Sequence, residues 1–156
     1  MARTIGSVIL GYLVMVIVVF ATFSLAYQAM GVDRAYQPGT YDVSGLWIAV
    51  SIVLGILAAI LGGFACQRVA HSPAAPKALA AFVLILGLGL AIAAAVGVGT
   101  GERETVRPAE VSNMEAMQDS QTPIWVQFLN PLIGAAGVLY GAGLARKSKQ
   151  GTPEAA

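Results

Sequence analysis

TPIWVQFLNPLIGAAGVLYGAGLAR, residues 122–146, is the stretch whose reading decides how the rest of the chain folds. Thr122 is suited to cap a helix N-terminus. Pro123 suits the first helical position, because the N–H it lacks would have no partner there. Trp125 lies one turn in, where an amphipathic indole favours the headgroup layer, and Arg146 with Lys147 closes the other end. From Trp125 to Arg146 is about 21 steps, roughly 31 Å at about 1.5 Å per residue, which matches a hydrocarbon core about 30 Å thick. The stretch reads as a transmembrane helix with both ends marked.

The rest of the chain supplies neighbours for it. Of 156 residues, 57% are hydrophobic and 11% charged, against roughly 25% charged in an ordinary soluble domain. Every Lys, Arg, Asp and Glu falls outside four apolar runs, at about 5–27, 45–66, 79–100 and 123–145. Each run exceeds the roughly 18 residues that separate a membrane span from a buried soluble helix. A β-barrel would instead show short alternating segments, and the sequence has none. The expected fold is an all-α integral membrane four-helix bundle, with 1–156 as a single transmembrane domain. Its surroundings are the lipid bilayer of the plasma (inner) membrane.

Orientation follows from the basic residues. Arg3, the 67–78 loop with Arg68 and Lys77, and the tail with Arg146, Lys147 and Lys149 carry one acid between them, Glu154. The 28–44 and 101–122 loops hold Arg34, Arg103 and Arg107 against seven acids. The positive-inside bias therefore predicts both termini in the cytoplasm. A net charge of +1 gives no ground for a nucleic-acid partner, and none is expected. The single Cys66 excludes an intrachain disulfide. The first run is longer than a signal-peptide core of about 7–15 residues, so it reads as a retained span although Ser24-Leu25-Ala26 would pass as a cleavage site. Its β-branched middle, Val14 to Phe20, suits lipid, which predicts the most peripheral of the four helices.

Small residues mark the faces on which helices meet. Ser51, Gly55, Ala59 and Gly63 recur at every fourth position of the second run; Gly137, Gly141 and Ala145 form a stripe in the fourth. Such stripes let backbones approach closely, the main attraction available where the solvent is as apolar as leucine. The third run has two: Gly87, Ala91, Ala95 and Gly99, and beside it Gly89, Ala93 and Gly97. Two small faces predict a central position between the second and fourth spans. Trp47 and Arg68 repeat the spacing of Trp125 and Arg146, pairing Ala59 with Gly137 and Gly63 with Gly141. A duplicated hairpin with an axis along the membrane normal gives that pattern; so does convergence on one bilayer thickness. Trp47 and Trp125 are the expected interface anchors.

The loops offer little chemistry. In the first outer loop Pro38-Gly39 signals a turn, and Tyr36 and Tyr41 read as interfacial residues of a hairpin lying on the headgroups. Asp33 and Asp42 are too few for Ca²⁺, which wants six to eight oxygens. Cys66 and His71 make half a zinc site with no second pair. In the acidic second outer loop Pro108 opens a short amphipathic helix to about Gln118. Its Met114 and Met117 lack a third soft ligand for Cu(I). No metal and no cofactor are expected.

The polar groups deep in an apolar run are Gln127 and Asn130, one turn apart, followed by Pro131, which frees the Gln127 carbonyl. They read as a hydrogen-bonded knot that fixes helix register, commonly worth about 0.6 kcal/mol, or as a site for a polar solute. No span interior holds an ionisable group, which disfavours proton-coupled transport and voltage sensing. No nucleophile stands with a base, so no catalytic residue is expected. What remains is a non-enzymatic accessory, assembly or envelope component acting through helix packing and the acidic outer loop, with a second copy or another membrane protein as the expected partner. The alternative is a passive channel or facilitator for a neutral or weakly polar solute, lined by Gln127 and Asn130.

Overall fold

The computed structural model describes residues 2–70, 72–98 and 120–150. The helix expected in the second outer loop, with Met114 and Met117, and the positions His71 and Gly99 lie outside them. Four long helices carry the fold: α1 (Ala2–Met30), α3 (Gly45–Ala70), α4 (Ala74–Ala95) and α5 (Ile124–Gln150), with a single-turn α2 (Val32–Ala35) between the first two. All four are long and apolar enough to cross a membrane. Even α4, at 22 residues, is about 33 Å long.

Large side chains face out and small ones face in. Phe20 is 76% exposed and Ile85 72%, both in mid-helix, while the buried positions are mostly Ala58, Ala59, Ala75, Ala80, Ala91, Ala142 and Ala145 with Gly62 and Gly63. In water this arrangement would strand the largest apolar groups in the worst solvent. In lipid those groups cost nothing outside, and small residues inside let backbones touch.

The tightest contact is between α3 and α5, which run in the same direction. Their starts are joined through Asp42 and Gln121, and their ends through Arg146 Nε to Gln67 Oε1 at 3.2 Å and Arg68 to Ser148 Oγ at 2.9 Å. A methyl group added to Gly63 would collide with the Val138 carbonyl, one added to Gly141 with the Ile60 carbonyl, and one on Gly137 would sit 2.8 Å from Ala59 Cβ. The first two are the same contact made reciprocally, since Ile60 and Val138 are spaced in the sequence as Gly63 and Gly141 are. The sealing contact therefore has a local two-fold character along the bundle axis.

Around this pair, α1 docks on α3 and α4 on α5, with lesser contact between α4 and α1 or α3. Gly62 faces Gly11 and Met15 of α1, while Gly63 faces α5, so adjacent glycines serve two partners. The third apolar run, α4, is thus not the central helix: α3 and α5 take that place, because both offer glycine at the crossing. The second small stripe of α4 does not pack. Gly89 has open space beyond it, and Gly97 ends the helix with φ 78°. The Val98 N–H bonds the Ala93 carbonyl at 2.9 Å and the Gly97 N–H the Ala94 carbonyl at 3.2 Å, a Schellman closure. The helix accordingly begins and ends earlier than its apolar run. At the other terminus Pro76 sits in the first turn, where no helical N–H is missed. As expected, α1 has the smallest buried share of the four helices.

The loop between α1 and α3 is folded into a small cap. Gln37-Pro38-Gly39-Thr40 forms a turn with Gly39 at φ 72°, Tyr36 bridges Val43, and the Val43 and Gln121 N–H groups bond the Gln121 and Tyr41 carbonyls. Tyr36 is 3% and Tyr41 1% exposed, inside a second small core with Tyr27, Ala35 and Val43. Trp47, half-buried, stacks edge-on against Phe23 and Tyr27, at 5.8 and 5.6 Å between ring centroids. It anchors the cap to α1 and α3.

Candidate functional site

The α3–α5 contact closes only one half of the bundle. From Ala59 and Gly137 towards Arg68 and Arg146 the helices touch; at Gly55 nothing stands within 4 Å of an added methyl, and beyond it their starts are joined again through Asp42 and Gln121. Between all four lies a cleft of about 540 Å³. Its walls come from Tyr12, Met15 and Phe23 of α1, Ser51 and Gly55 of α3, Leu86, Gly87 and Leu90 of α4, and Gln127, Asn130 and Gly134 of α5. No lining residue carries a charge. That size falls within the range of about 300–1,000 Å³ typical of small-molecule sites.

Each helix reaches the cleft for a local reason. Pro131 lies inside α5 with its ring packed on Gly87, where an added methyl would meet the ring Cβ at 2.7 Å. This wedge holds α4 against α5 at the level of Asn130. Gly134, facing Val83, lets the two helices stay close one turn further on. Ser51 Oγ donates to the Ile48 carbonyl at 2.8 Å, satisfying its own hydroxyl proton within the helix. Gly55 leaves open space on the cleft wall: nothing stands within 4 Å of a methyl added there.

The two amides differ in state. Gln127 Nε2 donates to the Thr122 carbonyl at 2.9 Å, turning back towards the start of its own helix rather than across to a neighbour. That start is one residue later than the sequence indicates: the Pro123 carbonyl accepts from the Val126 N–H at 3.0 Å, so Pro123 occupies the cap and Ile124 is the first helical residue. Asn130 is exposed on the cleft, and its side-chain amide makes no hydrogen bond to another described residue. It therefore presents a free donor pair and a free acceptor on an otherwise apolar stretch of α5.

The sequence-derived positions divide between two places. Ala59, Gly63, Gly137 and Gly141 form the closed half, whereas Ser51, Gly55, Gly87, Ala91, Gln127, Asn130 and Pro131 line the cleft. Ala95 is exposed at the last position of α4, and Trp125 is 58% exposed at the start of α5. Sequence reasoning missed the α1 side, Gly11, Tyr12, Met15 and Phe23. Gly11 is the one that left a signal: a glycine inside a run of large residues, here 2.7 Å from the Leu79 side chain if given a methyl. Among the described residues no cluster of His, Cys, Asp and Glu fit to hold a metal forms. Comparison of the chain with protein-family models, with curated proteins and with solved structures gives no match.

Proposed function

We propose that this chain is a non-enzymatic multi-pass protein of the plasma (inner) membrane, with both termini cytoplasmic. It acts as an accessory component by holding a membrane-resident ligand between its helices. The observation that carries this reading is the uncharged cleft between the four helices at the level of Ser51 and Asn130, bounded on one side by backbone contact at Gly63 and Gly141. Its lining offers amides, a serine hydroxyl and a tyrosine but no carboxylate, imidazole or amine, so it supports binding rather than acid–base or nucleophilic work. The basic residues at the closed end support a cytoplasmic placement of that end.

A passive facilitator lined by Gln127 and Asn130 needs a polar route past the closed half. There the Val138 and Ile60 carbonyls lie directly against glycine, and the Gln127 amide is engaged at Thr122. Flux of glycerol and urea into vesicles reconstituted with the protein separates the two readings. Holding predicts flux equal to that of protein-free vesicles. Protein-dependent flux that Asn130→Leu abolishes would overturn it in favour of the facilitator.

A further inference from the structure

The occupant of the cleft is constrained by size, charge and one side chain. A single turn of α-helix, about 10–12 Å across and 5.4 Å long, fills roughly 420–610 Å³. The cleft, at about 540 Å³, is of the order of one such turn, a size suited to a small or single-chain molecule. From Gln127 to Gly134 its depth along α5 is about 10 Å. A charged headgroup would find no counter-charge among the lining residues and would lose its hydration, a cost of several kcal/mol or more. The free Asn130 amide, one turn from Pro131 and facing an apolar chamber, has both donors and an acceptor to offer. Left bare in hydrocarbon it is costly.

We propose that the cleft binds a neutral single-chain lipid. Its uncharged head, bearing a hydroxyl or carbonyl oxygen, bonds the Asn130 amide at the level of Ser51 and Gln127. Its tail runs along Gly55 and Gly134 towards Tyr12 and Val83. The proposal rests on the reading of the cleft as a holding site and supplies the class of ligand held.

The test uses the full chain in phosphatidylcholine nanodiscs and two photoactivatable probes with the same diazirine-bearing tail, a monoacylglycerol and a phosphatidylcholine. Labelled peptides are mapped by mass spectrometry. The monoacylglycerol is expected to label the cleft-facing segments 12–23 and 127–134 saturably, and excess unlabelled monoolein to compete it away. Labelling should fall at least fivefold in Asn130→Leu and in Gly55→Leu, whose added side chain fills the cleft, and be retained in Asn130→Gln. The phosphatidylcholine probe should label outward faces such as those of Phe20 and Ile85 without saturation. Non-saturable monoacylglycerol labelling, labelling unchanged in the variants, or saturable labelling by the zwitterionic phosphatidylcholine probe only overturns the proposal. If Gly55→Leu fails to fold, Asn130→Leu decides alone, since the Asn130 side chain bonds no described residue. Saturable labelling together with solute flux would overturn the holding function and leave this ligand class standing.

Discussion

Gly63 and Gly141 are the residues on which the closed half of the bundle depends. Each faces a carbonyl of the opposite helix with no room for a methyl group, whereas Gly55 and Gly89 face open space. Gly63→Ala and Gly141→Ala should each cost about 1–3 kcal/mol by forcing two backbones apart. Gly89→Ala should be neutral or stabilising by up to about 1 kcal/mol, because alanine restricts the unfolded chain and meets nothing in the fold. Reversible unfolding in mixed micelles, titrated with SDS, measures all three. Equal effects at the two classes of site would show that the α3–α5 contact does not carry the fold. The periodicity of small residues was legible in the sequence, but the division within each stripe was not. Helices that cross touch over only a turn or two, so Ser51 and Gly55 share a face with Ala59 and Gly63 yet diverge from α5.

At the scale of elements, the cap and the helix starts show where sequence reading stops. Ser44 is the N-cap of α3: its Oγ accepts the Trp47 N–H at 3.1 Å, while its own hydroxyl donates to the Arg34 carbonyl at 2.6 Å. Ser44→Ala should therefore destabilise by about 1 kcal/mol through the lost cap, with a further loss from releasing the Arg34 carbonyl, read in the same SDS titration. A change under about 0.3 kcal/mol would mean that neither bond matters to stability. The tyrosine core was not legible. Tyr36 and Tyr41 have the composition of interfacial residues, and the segment that buries them is held by Gln121, far along the chain, through backbone bonds that leave no side-chain signature. The reach of α4 was misjudged for a related reason. Gly97 continues a four-step stripe on paper, but its left-handed conformation closes the helix.

For the molecule as a whole, the distribution of residue size and the distribution of charge make separate claims. Size reversal, with alanine and glycine inside and Phe20, Ile85 and Ile17 outside, requires an apolar solvent. Charge sidedness sets which end faces the cytoplasm. Green fluorescent protein fused after Ala156 should fluoresce, and alkaline phosphatase inserted after Gly39 should be active outside. The reverse pattern would refute the assigned orientation and leave the bundle intact. The measurement that bears most directly on the membrane claim is a collision profile of nitroxides placed one at a time at Phe20, Ile85 and Trp125, with Cys66 replaced by alanine, in reconstituted vesicles. At Phe20 and Ile85 the label should collide freely with oxygen and scarcely with a water-soluble nickel chelate. At Trp125 the balance should shift towards the chelate. Ready collision of the chelate with the label at Ile85 would contradict a bundle whose solvent is lipid.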